Sequence, residues 1–236
     1  MGAGQRKQRT LIKICGITNR DDALAAVELG ADLIGLNLVG GPRKITPAAA
    51  EHIAAHPALA GKVVLLLDHW PCEWEVASPP MAAIFGVQFY GPVDHPAIQE
   101  FCRHKLRLIL PVRVENAGSL TAIVRLAAHA PEDVIWLMDT HVAGQLGGTG
   151  KTFDWGVAKA FVRRLSVKGE ALVGVAGGLT PSNVADAIGQ IAPHLVDVSS
   201  GVEEPGHPGV KSVKLMTAFV SAAHGATQAA SGGGEV

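Results

Sequence analysis

The sequence predicts an α/β fold, an eight-stranded parallel (β/α)8 barrel, on three observations. Short β-rich runs alternate with helical runs along the chain, and such alternation implies parallel strands joined by crossovers. Eight strand-like runs can be counted, which favours a sheet closed on itself over its rival, an open doubly wound sheet. The chain has 236 residues, a common size for one barrel of this kind.

Thr10–Ile14 reads as the first strand. Asn19 or Thr18 can cap a helix that runs to about Leu29, with Asp21 and Asp22 favourable in its first turn and Gly30 as its stop. Leu33–Leu38 is the second strand. Pro47 opens a helix to about Ala55, at a position proline tolerates. Lys62–Leu67 is the third strand. The connection from Asp68 to Pro80 holds three prolines and two tryptophans, so its helix is expected to be short or irregular. Strands follow at Ala83–Phe89, Leu106–Val112, Val134–Met138, Leu172–Ala176 and Val196–Ser199. Helices are expected at Pro96–His104, Ser119–His129, Trp155–Leu165, Pro181–Ile191 and Val210–Ala223. Residues 1–9 read as a flexible leader and 225–236 as a flexible tail rich in Gly, Ala and Ser, around a single catalytic domain over 10–224.

Composition narrows the function. Hydrophobic residues make up 48% and aromatic residues only 5%, so aliphatic side chains must fill the core. A net charge of −1 gives no electrostatic case for nucleic acid. No apolar run is long enough to span a bilayer, and no membrane partner is expected. Cys15, Cys72 and Cys102 are too few for a disulfide framework, which points to the cytoplasm. The ten histidines lack metal-ligand spacing; no metal and no cofactor is expected.

Barrel chemistry gathers where strands end and loops begin. Lys13 and Cys15 sit two apart at the end of strand one, so they share a face. An ammonium beside a thiol favours the thiolate, which makes Cys15 a candidate base or nucleophile. Arg43 lies in a Gly-Pro loop after strand two and suits a substrate carboxylate. Gln88 and Tyr90 end strand four, and both are candidate substrate contacts. Asp139 follows an apolar strand, so its carboxylate needs hydrogen bonds or a function. Gly177 and Gly178 follow strand seven, and Ser200 and Gly201 follow strand eight. In barrels these two loops often bind phosphate through backbone N–H groups.

At these residues the sequence resembles the phosphoribosylanthranilate isomerase family. The likeness runs from about Leu11 to Phe219. It rests on Lys13-Ile14-Cys15-Gly16-Ile17-Thr18, Pro42-Arg43, and Asp139 with Gly147-Gly148-Thr149-Gly150 and Phe153-Asp154-Trp155. It rests also on Gly177-Gly178-Leu179-Thr180-Pro181 with Asn183-Val184, and on Asp197-Val198-Ser199-Ser200-Gly201-Val202-Glu203. The resemblance implies a TIM barrel and an Amadori rearrangement of a phosphorylated aminosugar in tryptophan biosynthesis. It makes Asp139 the general acid and Cys15 the general base. Arg43 would meet the anthranilate carboxylate, and Gly148, Gly177, Gly178, Ser200 and Gly201 the phosphate. The family occurs as monomers and homodimers. This chain departs at strand four, where Gln88-Phe89-Tyr90-Gly91 stands for the family's Gln-Leu-His-Gly, and in a shorter loop before Arg43. The alternative is a paralogue acting on a different N-substituted aminoribosyl phosphate. A non-catalytic ligand-binding barrel would be marked by loss of Cys15 or Asp139, and both are present.

Overall fold

The computed structural model describes residues 9–69, 84–92, 94–113, 130–131, 134–139 and 172–232, together with 123, 127, 159–160 and 162. Eight parallel strands close in sequence order: β1 (Leu11–Cys15), β2 (Leu33–Asn37), β3 (Val63–Leu67), β4 (Ile84–Phe89), β5 (Arg107–Arg113), β6 (Ile135–Asp139), β7 (Leu172–Ala176) and β8 (Leu195–Val198). β1 pairs with both β2 and β8, which excludes the open sheet.

Strand alternation divides the apolar residues into two cores. Ile12, Ile14, Ile34, Leu36, Val196 and Val198 face outward and meet the helices. Leu33, Val64, Leu66, Ile109, Ile135, Leu137 and Leu195 face inward and fill the barrel. Strands buried on both faces explain why each reads as a nearly continuous apolar run.

The outer layer includes α1 (Arg20–Glu28), α2 (Pro47–Ala54), α3 (Ala97–Arg103), α4 (Val184–Ile191) and α5 (Val213–Gly232). Asn19, not Thr18, caps α1, its side chain accepting from the Asp22 N–H at 2.8 Å. Thr18 instead donates to the Gly209 carbonyl, tying the loop after β1 to the loop after β8. Thr46 caps α2 ahead of Pro47. The last helix continues beyond the expected Ala223 to Gly232, and Ala226 packs against the outer core. Alanine favours the helix strongly enough to carry it past Gly225, so composition alone placed the start of the tail too early. The irregular connection expected at Asp68–Pro80 lies largely outside the described residues. So do the helices expected at Ser119–His129 and Trp155–Leu165, although 123, 127, 159–160 and 162 within them are helical. Among the described residues, no helix is long and apolar enough to cross a membrane.

One irregularity bears on the site. The β3–β4 register slips between Val63 and Val64, so Val63 pairs with Ile84 but Val64 pairs with Gly86. One extra residue on β4 reverses its alternation. Leu66, an interior residue, therefore stands beside Gln88, and Gln88 faces the barrel lumen.

Candidate active site

Lys13 and Cys15 enter the barrel interior from β1. Lys13 is fully buried, and its Nζ donates to Asp197 Oδ2 on β8 and to Gln88 Oε1 on β4, each at 2.9 Å. Its stem lies beside Cys15, on the same face of β1. Gly35 on β2 is the residue beside Cys15, and a Cβ there would lie 2.7 Å from Cys15 Sγ and 3.2 Å from Lys13 Cε. The missing side chain is what gives the thiol and the lysine stem their space.

The charges of this cluster oppose one another. Burial disfavours the Lys13 ammonium, but Asp197 and Cys15 outweigh it, and its pKa stays above the ordinary lysine value. Burial pushes the Asp197 carboxyl up, against the pull of Lys13. Burial and the Asp197 charge push the Cys15 thiol up further than Lys13 pulls it down. Lys13 favours the thiolate as expected, but burial and Asp197 pull the other way. The ammonium is there, but a carboxylate shares it.

Asp139 is the last residue of β6, partly buried, and paired with Arg113 and Ala176 in the sheet. Leu137 faces the barrel interior, so alternation turns Asp139 the same way. Its charge is felt by Asp197. Tyr90 stands half exposed at the rim, 49% accessible, while its hydroxyl accepts from Gln88 Nε2 at 2.7 Å. Burial of that hydroxyl, with the Cys15 charge, pushes it up to about 12. Tyr90, Gln88, Lys13 and Asp197 thereby form one continuous hydrogen-bonded chain from rim to barrel wall.

A second ionic cluster lies at the mouth. Asn37 ends β2, and its Oδ1 accepts from the Val39 and Gly40 N–H groups while its Nδ2 donates to the Gly40 carbonyl. This closes the short loop that carries Arg43. The Arg43 guanidinium forks onto Glu203, Nε to Oε1 and Nη2 to Oε2, both at 2.7 Å. Glu203 Oε1 also accepts from Lys211 Nζ at 2.8 Å and from the Gly209 N–H at 3.1 Å. Burial opposes the Glu203 charge, but these hydrogen bonds from Arg43 and Lys211 overcome it and hold the carboxyl down at about 2. Lys211 is buried at the same junction and also donates to the Ser199 carbonyl; its burial outweighs the attraction of Glu203, so its pKa falls. Arg43 was expected as a guanidinium open to substrate. One edge of it is committed to Glu203 through the Nε/Nη2 fork.

The loops after β7 and β8 meet. Gly177 and Gly178 have φ of +81° and +66°, the left-handed region that favours glycine. A Cβ on Gly201 would lie 2.0 Å from the Leu179 carbonyl oxygen, so only glycine lets the two loops touch. Ser200 and Gly201 open a short 3-10 turn there, Ser200–Val202. Gly16 performs a similar service beside Arg43, since a Cβ on it would lie 2.5 Å from Arg43 Cδ and 2.9 Å from Ser199 Oγ. The structure therefore gathers the ends of β1, β4, β6, β7 and β8 at one mouth. Gly148 lies outside the described residues.

The family model for N-(5'-phosphoribosyl)anthranilate isomerase matches residues 12–222, which span every strand. The chain belongs to the phosphoribosylanthranilate isomerase family. An N-(5'-phosphoribosyl)anthranilate isomerase from Halorhodospira halophila is 38% identical over 90% of this chain and 96% of its own length. One from Roseiflexus castenholzii is 37% identical over 92% of this chain and its own full length, 100%. Among solved structures, a phosphoribosylanthranilate isomerase in complex with reduced 1-(o-carboxyphenylamino)-1-deoxyribulose 5-phosphate matches with a TM-score of 0.69 and 29% identity. That match covers 92% of this chain and 99% of the other. The Thermotoga maritima isomerase matches with a TM-score of 0.68, 30% identity and the same coverage.

Seen as a phosphoribosylanthranilate isomerase, the chain contains site residues that the sequence reading did not single out. Asp197 and Glu203 stood inside a quoted motif without roles. Their signal was a carboxylate within an apolar strand and one at the start of a loop. Lys211 and Gly35 gave no signal of their own, because both act through contacts that only closure of the barrel creates.

Proposed function

We propose that this site carries out the Amadori rearrangement of N-(5'-phosphoribosyl)anthranilate to 1-(o-carboxyphenylamino)-1-deoxyribulose 5-phosphate. The observation that carries the reading is that an acid, Asp139, and a thiol, Cys15, close the same barrel mouth as the two touching glycine loops. Membership of the family and the names of its relatives support it.

Asp139 protonates the furanose ring oxygen, the C1–O bond breaks, and the substrate opens to an iminium. Cys15, as thiolate, then removes the proton from C2. The electrons of that C–H bond form the enolamine, which takes a proton at C1 and gives up its C2 hydroxyl proton to become the aminoketone. The reaction needs one donor and one acceptor, and each such role contributes about 10² to 10⁴ in rate. Because Cys15 rests as a thiol, its thiolate must form in the complex, where the iminium adds a positive charge to the site. Gly177, Gly178, Ser200 and Gly201 cradle the phosphate with backbone N–H groups, with Gly148 from the loop after β6. Arg43 meets the anthranilate carboxylate. Lys13, Gln88 and Tyr90 contact the substrate. The enzyme works in the cytoplasm, in tryptophan biosynthesis.

Tyr90 favours one second reading, a paralogue with a different N-substituent, because a half-exposed phenol at the rim replaces the imidazole of the family's Gln-Leu-His-Gly. Steady-state turnover decides. Conversion of N-(5'-phosphoribosyl)anthranilate by the intact protein is the expected result. Failure to convert it, with turnover of another N-substituted phosphoribosylamine, would replace the substrate and keep the chemistry.

A further inference from the structure

Asp197 has an incomplete set of partners. Its Oδ2 holds Lys13, but its Oδ1 is buried and has no hydrogen-bond partner among the described residues. A salt bridge serving only to join β1 and β8 would satisfy both oxygens, because an unpartnered buried acceptor costs about 1–3 kcal/mol. The backbone ladder already joins the two strands at this point. Lys13 and Asp197 are already register partners in the backbone ladder between β1 and β8.

The position of the carboxylate has an electrostatic consequence. Lys13 Nζ is bonded to Asp197, and its stem and the Cys15 sulfur both lie against Gly35, so the thiol feels an ammonium and a carboxylate together. Each field alone would be large in a buried site. At the thiol the two oppose each other, and burial favours the neutral form. The other charged or titratable groups facing Cys15 or this pair are Tyr90 from β4, Asp139 from β6, and Arg43 and Lys211 from the mouth cluster. Arg43 and Lys211 are themselves engaged by Glu203.

We propose that Asp197 is a positioning residue for the rearrangement: it fixes the Lys13 ammonium and offsets its charge at Cys15, keeping the thiol protonated until substrate enters. The proposal rests on Cys15 as the base. Its function is to avoid a permanently formed thiolate, which would be a weaker base and exposed to alkylation and oxidation. A substrate that brings positive charge, or a hydroxyl that donates to Oδ1 and weakens the carboxylate's hold, tips the balance towards the thiolate.

The test is the pH dependence of Cys15 alkylation by iodoacetamide, followed at the Cys15 peptide by mass spectrometry. That readout distinguishes Cys15 from Cys72 and Cys102. Asp197→Asn should shift the Cys15 titration down by at least about one unit, a roughly tenfold gain in thiolate at fixed pH below the titration. Asp197→Glu should restore it towards the wild-type position. An unchanged or raised titration in a folded Asp197→Asn protein would overturn the proposal. Should that variant fail to fold, the neutral pair Lys13→Gln with Asp197→Asn gives the answer. Opposing fields predict a titration within about one unit of wild type, whereas control by Lys13 alone predicts a rise well beyond that and refutes the proposal. These measurements do not depend on turnover. A Cys15→Ala enzyme with normal kcat would remove the base assignment itself, whatever the titration shows.

Discussion

Two buried ion clusters lie within the same barrel mouth, and they are built in opposite ways. At Arg43–Glu203–Lys211, the carboxylate is saturated: it accepts a guanidinium fork, an ammonium and a backbone N–H. At Lys13–Asp197, one carboxylate oxygen has no partner among the described residues, and the ammonium lies beside a thiol. The first arrangement holds Glu203 charged, down at about 2. The second leaves Asp197 and Cys15 both shifted towards their neutral forms. A saturated cluster fixes geometry, whereas an unsaturated one keeps its protonation responsive to what binds. The mouth cluster orients Arg43 and the loop after β8, and the interior cluster surrounds the proposed base.

The sharpest way to break this comparison is to empty the saturated cluster. Glu203→Ala leaves two cations without their carboxylate, and the expected loss of folding stability is about 3–5 kcal/mol, the range for breaking a buried pair. Urea denaturation measures it; a loss under about 1 kcal/mol would mean the cluster is no more than a surface contact. Next comes the pH dependence of stability. Glu203 has a folded value of about 2 against an ordinary 4.5, so its contribution is fully present above about pH 4.5 and is lost as pH falls towards 2. The size is on the order of 3 kcal/mol at 1.36 kcal/mol per unit. Glu203→Gln should remove most of that acid-side slope, and a slope identical to wild type would contradict the assignment.

A smaller effect is expected at the interior cluster from Gly35→Ala. The added methyl would meet Cys15 Sγ at 2.7 Å, and misplacing a reacting group costs rate steeply. A fall in kcat of about tenfold or more, with KM changed less than kcat, is the expected outcome in steady-state kinetics. A change confined to KM would place Cys15 outside the chemical step. Tyr90→Phe should do least. It removes the acceptor for Gln88 Nε2 but leaves the Gln88–Lys13 bond intact, so kcat/KM should fall by about fivefold or less, near the 1 kcal/mol of one hydrogen bond.

The barrel was legible in the sequence because parallel strands buried on both faces leave continuous apolar runs, and Leu172–Ala176 falls where it was expected. The candidate site was legible as far as short motifs reach: Cys15 and Asp139 end strands, Lys13 lies two residues before Cys15 on β1, and Gly177 and Gly178 turn with positive φ. What the sequence hid depends on contacts between distant segments. The Arg43–Glu203 fork joins residues 160 apart. Gln88 faces the lumen only because a bulge reverses the alternation of β4, and no local pattern announces that bulge. The opposing charge at Cys15 was hidden for the same reason. Lys13 is two residues away along one strand, but Asp197, which offsets it, arrives from β8.

The most direct test of the account compares kcat with N-(5'-phosphoribosyl)anthranilate for the wild-type protein, Cys15→Ala and Asp139→Asn. The prediction is turnover by wild type and a loss of about 10² to 10⁴ in each variant, with the fold retained. Near-normal kcat in either variant would contradict the proposed acid–base pair.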